Sequence, residues 1–273
     1  MDVVPEVTLN NGVRIPQLGY GVYKLPPDET ERAVGIAIEA GYRSIDTAKL
    51  YRNEREVGKA VAASGVPREE LFVTTKLWND DHGYEPALAA FERSRGELGL
   101  EYIDLYLIHW PVPSVDRYVE TWKALEKLLA NGSVRAIGVS NFQPAHLRRL
   151  IEEAETVPAL NQIELHPQLS QSELRAFHAE HGIATEAWAP LARGTMFSDP
   201  VIAGLARKYG RTPAQIVLRW HLQRDTIAIP KSATPSRIAA NFDVFGVELA
   251  ADDIAAINDL DTNHRTGLHP DSM

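Results

Sequence analysis

Residues 103–140 decide the fold: Ile103-Asp-Leu-Tyr-Leu-Ile-His109, a helix-forming stretch Arg117 to Ala130, the stop Asn131-Gly132, then Val134-Arg-Ala-Ile-Gly-Val-Ser140. Two short apolar strands on either side of one helix predict parallel pairing through a crossover. The same unit recurs in both directions. Upstream lie strands Leu18 to Val22, Tyr42 to Asp46 and Leu71 to Lys76, followed by helices Asp28 to Ala40, Glu54 to Ala63 and Glu85 to Leu98. Ala33, Ile36, Ala37 and Ala40 form the expected buried face of the first helix, and Gly41, Gly65 and Gly99 the stops. Downstream come strands Ala159 to Glu164, Ile183 to Trp188 and Thr226 to Pro230. Pro144 opens one helix, Ser172 caps another through Glu180, and Thr212-Pro213 opens the second of two helices before the last strand. Ala251 to Leu260 is the last long helix. Ahead of all this, Val7-Thr8-Leu9 and Val13-Arg14-Ile15 flank Asn10-Asn11-Gly12, a hairpin signal.

Eight strand–helix units with strands apolar on both faces predict a single α/β domain over residues 1–273. The architecture is a (β/α)8 TIM barrel with an N-terminal hairpin and extra C-terminal helices, and the length suits that fold. A doubly wound sheet would need a Gly-rich turn after its first strand, and Gly19-Tyr20-Gly21 lacks the third glycine. Composition narrows the rest. The chain has 273 residues, 44% hydrophobic and 24% charged, and no cysteine, so disulfides, thiolate metal sites and thiol nucleophiles are excluded. A net charge of -9 argues against nucleic-acid or anionic-membrane partners. Met1-Asp2-Val3-Val4-Pro5-Glu6 has no basic-then-apolar pattern, so no leader is expected there, and a cytoplasmic location is. The apolar runs are too short to span a bilayer.

Barrel enzymes carry their chemistry where strands end. Successive strands here end in Asp46, Lys76, His109, Ser140 with Asn141, Gln162 with Glu164, Trp188 and Lys231. Singly, each has a plain structural role as a cap, a core histidine or a rim charge; their arrival together on successive strands is the argument. A lysine at an apolar mouth needs an anion, and Asp46 on the adjacent strand supplies one. Tyr51, five residues past Asp46, lies in a loop on the same mouth. An ammonium beside it favours the phenolate and is expected to lower its pKa towards that of a useful general acid. Spacing alone also fits a packed loop aromatic. His109 is placed to hydrogen-bond a carbonyl.

The sequence resembles the aldo-keto reductases, in particular the bacterial branch of 2,5-diketo-D-gluconate reductases. Seven motifs in order carry the resemblance over nearly the whole chain. The first four are Leu18-Gly-Tyr-Gly-Val22, Ile45-Asp-Thr-Ala-Lys-Leu-Tyr-Arg-Asn-Glu54, Thr75-Lys-Leu-Trp78 and Asp104-Leu-Tyr-Leu-Ile-His-Trp-Pro111. The others are Gly138-Val-Ser-Asn-Phe142, Asn161-Gln-Ile-Glu-Leu-His-Pro167 and Ile229-Pro-Lys-Ser-Ala-Thr-Pro-Ser-Arg237. The resemblance implies a catalytic tetrad of Asp46, Tyr51, Lys76 and His109. It implies reduction of aldehydes, ketones or dicarbonyls by NADPH, with the proton from Tyr51, no metal, and a monomer. It places the cofactor against Gly21, Val22, Ser140, Asn141, Gln162, Trp188, Ala189, Pro190, Leu191, Lys231, Ser232, Ala233, Arg237 and Asn241. Ser140, Asn141 and Gln162 would hold the carboxamide, Trp188 would stack on the nicotinamide, and the cationic stretch from Lys231 to Arg237 beside a short helix suits a phosphate. Tyr23, Trp78, His109 and Trp110 would line the substrate pocket. Ala240 stands where relatives commonly carry a glutamate that touches adenine, implying one adenine contact fewer.

Lys49 and Arg52 add positive charge near the mouth, which either favours acidic or dicarbonyl substrates or serves the surface. The loop Pro111 to Asp116 is short and the tail Asp261 to Met273 modest, which predicts an open site; the tail, with His264, Arg265, His269 and Pro270, either closes over the substrate or is disordered. The rival readings are a barrel aldolase using Lys76 as Schiff-base nucleophile, a nucleotide-binding redox-sensing or structural barrel with little turnover, and physiological alcohol oxidation.

Overall fold

The computed structural model describes residues 4–273; Met1–Val3, the start of the segment in which no leader is expected, lies outside the described residues. A hairpin comes first, β1 (Glu6–Thr8) against β2 (Arg14–Pro16), with Val7 opposite Ile15 and the Leu9 amide donating to Val13 O at 2.8 Å. Eight parallel strands follow, hydrogen-bonded in chain order: β3 (Tyr20–Gly21), β4 (Ser44–Asp46), β5 (Phe72–Leu77), β6 (Ile103–Ile108), β7 (Val134–Ser140), β8 (Leu160–Glu164), β9 (Ala184–Trp188) and β10 (Ile227–Ala228). The last returns to the first. Leu18 bridges Ala228, and the amides of Gly19 and Gly21 donate to Ala228 O at 2.9 Å and Pro230 O at 3.1 Å.

Helices connect the strands as the alternation predicts. They are α1 (Pro27–Ala40), α2 (Glu54–Ala63), α3 (Tyr84–Leu98), α4 (Tyr118–Ala130), α5 (Pro144–Glu153) and α6 (Ser172–Glu180), with α7 (Pro200–Tyr209) and α8 (Pro213–Leu222) together between β9 and β10. After β10 come α9 (Pro235–Phe242) and α10 (Ala251–Asn258). Thr212 caps α8 as expected: its hydroxyl accepts from the Gln215 amide at 3.2 Å, and Gln215 Oε1 accepts from the Thr212 amide at 2.9 Å. Two local expectations shift. Ser172 is the first helical residue of α6; the cap position is Gln171, left-handed at φ 46°, whose side chain donates to Glu164 O at 2.6 Å and accepts from Arg265 at 3.4 Å rather than from the helix. The buried face of α1 runs through Thr30, Ala33, Val34, Ala37 and Ile38, one residue round from the stripe through Ile36 and Ala40.

Apolar side chains point both ways from the strands. On β6, Tyr106 and Ile108 join the large cluster with the helices, while Leu105 and Leu107 join a smaller one with Ala136, Leu160 and Ile227. Leu9 and Ile15 of the hairpin belong to that smaller cluster, so the hairpin seals it from below. Near the start of β6 the buried Asp104 accepts from Arg68 at 2.6 Å and Arg135 at 2.8 Å, a structural strut. No helix among the described residues is long and apolar enough to cross a membrane.

Candidate active site

The ends of β4 and β5 bring the first three polar residues together. Lys76 is fully buried, and its Nζ donates to Asp46 Oδ1 at 2.7 Å, to Thr47 O at 2.9 Å and to the Tyr51 hydroxyl at 3.4 Å. Tyr51 ends a short 3-10 turn, Lys49–Tyr51, and Arg52 leaves it in the left-handed region at φ 57°. The next residue fastens this turn to the barrel. Asn53 is buried, donates to Val22 O and Leu25 O, both at 3.2 Å, and accepts from the Thr47 hydroxyl at 2.9 Å. Glu54 adds a second tie, accepting from Thr75 at 2.6 Å.

His109, at the end of β6, stands edge-on to Tyr51 with ring centroids 5.7 Å apart and edge-on to Trp78 at 5.2 Å. Trp110 lies nearly parallel to it at 6.5 Å, and the exposed Tyr23 packs on Tyr51 at 5.0 Å. The proposed pocket aromatics therefore surround the Tyr51–His109 pair.

The strands opposite form one network. The Ser140 hydroxyl donates to Gln162 O at 2.8 Å. Asn141, left-handed at φ 65°, donates to His109 O at 2.9 Å and accepts from the Trp188 indole at 2.8 Å. Gln162 Nε2 donates to Asp46 Oδ2 at 2.8 Å and to Glu186 Oε2 at 2.7 Å. Ala189 follows Trp188 at φ 47°, a conformation unusual without glycine. Pro190 O accepts from the buried His221 at 3.0 Å, and Leu191 is half-buried. Gly21 and Val22 sit beside this network, the Val22 amide donating to Asp46 O at 3.1 Å.

Beyond β10, Lys231, Ala233 and Arg237 are exposed, Ser232 and Asn241 buried. Ser232 O accepts from Tyr20, and its hydroxyl accepts from the Thr234 amide at 3.1 Å. Neither Lys231 nor Arg237 makes an ion pair with any described residue. They flank the N-terminal end of α9, so two exposed cations lie together at a helix start in an acidic protein.

The description of the aldo/keto reductase family matches residues 17–262. The chain belongs to the aldo/keto reductase family. An aldo-keto reductase of Mycolicibacterium smegmatis is 58% identical over 266 residues, 97% of each chain. Methylglyoxal reductase DkgA of Escherichia coli K12 is 52% identical over 269 residues, 98% of this chain and 97% of its own. Among solved structures, a mutant of Gox0644 in complex with NADPH superposes with a TM-score of 0.96 at 48% identity, covering 100% of this chain and 99% of the other.

The electrostatics of this aldo/keto reductase correct one expectation. Burial pushes the Tyr51 phenol up to about 12; the Lys76 ammonium pulls against it, and the Asp46 carboxylate adds to it. Desolvation thus exceeds the attraction that the sequence suggested would win. Burial also pulls Lys76 down, but Asp46, Tyr51 and Glu186 outweigh it, so the amine is held as a cation. Burial, helped by Lys76, holds His109 well below its ordinary value, leaving a neutral imidazole.

Lys49 and Arg52 line an outer cleft with Glu54, Arg55, Glu56 and Glu97, where acidic neighbours offset them. The tail is ordered. Glu164, at the end of β8, accepts from the Thr266 amide at 2.6 Å, from the Thr266 hydroxyl, and from the Gly267 amide at 3.1 Å. Burial raises its carboxyl, but the hydrogen bonds from His166, Thr266 and Gly267 outweigh that and hold it at about 2. Gly267 passes so close to Trp188 that a Cβ would lie 2.5 Å from the indole. Sequence reasoning passed over Glu186, and it placed Glu164 at the mouth without its clasp on the tail. For Glu186 the signal was present: a carboxylate within an otherwise apolar strand.

Proposed function

We propose that this protein reduces small aldehydes, ketones and dicarbonyls to alcohols with NADPH, and that Tyr51 gives the proton. The single observation that carries this is Lys76 Nζ, which touches both Asp46 and the Tyr51 hydroxyl beneath His109. The residues fit the cofactor. Gln162 Oε1 receives no donor from the described residues and can accept from a carboxamide, while the unpaired Lys231 and Arg237 at α9 suit a 2′-phosphate. Gly21, Val22, Ser140, Asn141, Trp188, Ala189, Pro190, Leu191, Ser232, Ala233 and Asn241 would complete the site, and Tyr23, Trp78 and Trp110 would flank the substrate. When bound, the dihydronicotinamide supplies a hydride to the carbonyl carbon.

The chain's own residues do the rest. His109, neutral, donates a hydrogen bond that orients the carbonyl oxygen. As negative charge gathers on that oxygen, the Tyr51 O–H bond breaks towards it and the O–H of the alcohol forms. Lys76 stabilises the phenolate left behind, and Asp46 keeps Lys76 charged. A phenol near 12 stays protonated at neutral pH, yet an alkoxide is about as strong a base as hydroxide, well above a phenolate, so the transfer is downhill. That favours reduction over alcohol oxidation, which needs the phenolate first. A salt-bridged, protonated Lys76 is likewise no Schiff-base nucleophile.

On this reading residues 1–273 form one domain, a closed (β/α)8 barrel. It works as a monomer in the cytoplasm on a small carbonyl substrate, without nucleic-acid or membrane partners. The test is NADPH consumption with methylglyoxal, a diketogluconate and an aromatic dicarbonyl. Turnover of at least one is expected; none with any carbonyl would sink the proposal.

A further inference from the structure

Glu186 is a buried strand carboxylate that the mechanism above leaves without a task. It lies in the middle of β9, directly opposite Gln162 of β8, and only about 1% of it is exposed. Its Oε2 accepts from Gln162 Nε2 at 2.7 Å, while Asp46 Oδ2 accepts from the same nitrogen at 2.8 Å from across the barrel. An amide nitrogen has two hydrogens, and here both are taken by carboxylates. Asp46, ion-paired with Lys76 at 2.7 Å, has no hydrogen to donate to the amide oxygen. The Gln162 carbonyl is therefore turned away from both, and it receives no donor from any described residue.

We propose that Glu186 is a positioning residue: with Asp46 it holds the Gln162 side-chain amide in one orientation, so that Oε1 faces the place where the cofactor's carboxamide is read. This rests on the function proposed above. Asp46 alone leaves one amide hydrogen without an acceptor in a buried site, where an unsatisfied donor is costly and the side chain rotates to find another partner. The two anchors together remove that freedom. The line Glu186–Gln162–Asp46–Lys76–Tyr51 is then continuous, linking the group that reads the carboxamide to the group that gives the proton.

The arrangement tolerates two neighbouring acids because one of them holds a proton. Burial and the Asp46 carboxylate push Glu186 up to about 8, with Gln162 and Lys76 pulling the other way. A neutral acid still accepts through its carbonyl oxygen, so the positioning survives at neutral pH.

Binding of NADPH and of its reduced 3-acetylpyridine analogue, which has no carboxamide N–H, tests this by fluorescence titration without any turnover. Wild type is expected to hold NADPH about fivefold tighter than the analogue. Glu186→Met removes the acceptor at similar volume and is expected to weaken NADPH several-fold and the analogue by less than twofold, erasing the preference. Glu186→Gln keeps a carbonyl acceptor and is expected to retain it. Should thermal melts show that the methionine variant does not fold, Glu186→Ser carries the same expectation. A preference that survives loss of the acceptor, or equal weakening of both cofactors in a folded variant, overturns the role of Glu186, as does a wild type without preference. A wild type that binds neither cofactor overturns the proposed function itself.

Discussion

Tyr51→Phe removes one oxygen and leaves the rest of the site standing. Lys76 Nζ meets the Tyr51 hydroxyl at 3.4 Å but keeps shorter bonds to Asp46 Oδ1 at 2.7 Å and Thr47 O at 2.9 Å. The variant therefore loses only a long hydrogen bond, and the fold should weaken by less than about 1 kcal/mol. Turnover is another matter. His109 is held neutral by burial, and Lys76 already has two closer acceptors, so no second donor stands ready where the phenol stood. Removing a general acid costs roughly 10²- to 10⁴-fold, about 3 to 5 kcal/mol of barrier. The assay is methylglyoxal reduction at saturating NADPH, beside a fluorescence titration of the cofactor. Expected are a dissociation constant within twofold of wild type and a kcat at least a hundredfold lower. A phenylalanine variant that reduces carbonyls within tenfold of wild type would refute Tyr51 as the acid, whatever its stability.

Three further outcomes follow from the same structure. Glu186 ordinarily titrates near 4.5 but is raised to about 8 in the fold, so the folded state keeps a proton that the unfolded chain loses, and stability falls as pH rises from about 4.5 to about 8. Glu186→Gln is expected to gain stability over wild type as pH rises from 5 to 8; a stability difference that does not change with pH contradicts this. Burial holds His178 and His221 near 3, so the unfolded state binds more protons below 6.5, and their contribution is lost as pH falls, about 2 kcal/mol each at pH 5. Denaturant melts of His178→Asn should be less pH-sensitive than wild type between pH 7 and pH 5, and an equal slope would disprove the assignment. Gly267→Ala places a Cβ 2.5 Å from the Trp188 ring and should free the tail, seen as faster carboxypeptidase trimming with little change in the global melt; an unchanged trimming rate refutes the clasp.

Much of this was legible in the chain. Glycine stops and proline starts marked the helices, and the Thr212 cap formed as read. That Asp46, Tyr51, Lys76 and His109 come together was legible because Asp46, Lys76 and His109 each lie at the end of an apolar run, and polar residues there have only the mouth to face. What was not legible depends on distance or on magnitude. Glu164 reaches Thr266 across 102 positions, and no local pattern announces that contact. Lys49 could be read as favouring acidic substrates or as serving the surface; in the fold it lines a cleft with Glu97, a residue 48 positions away that no local pattern announces. The shift of Tyr51 went the other way from expectation because charge pairing can be read from spacing, whereas the depth of burial that opposes it cannot. Glu186 was hidden by its own strand: Ile183-Ala-Thr-Glu-Ala-Trp188 was read for its ends.

The inside of the barrel is divided, and the division explains how it can hold such charges. Below, Leu105, Leu107, Ala136, Leu160 and Ile227 pack on the hairpin's Leu9 and Ile15. Above, Asp46, Lys76, Gln162 and Glu186 replace them with polar groups, joined by contacts of 2.7 to 2.8 Å. Burying ions is unfavourable unless each is met by a partner; here Lys76 is met by Asp46, and Gln162 bridges Asp46 to Glu186. The dryness that raises the proton affinity of Tyr51 also strengthens the pull of Lys76 on any charge that develops beside it. In the resting site the first effect prevails and the phenol keeps its proton from water. Once a carbonyl oxygen becomes an alkoxide, the second effect favours transfer, because the phenolate forms next to a cation that has no solvent to share. If Tyr51 is the proton donor proposed above, the site withholds its proton until charge appears opposite it, which is what differential stabilisation of a transition state requires.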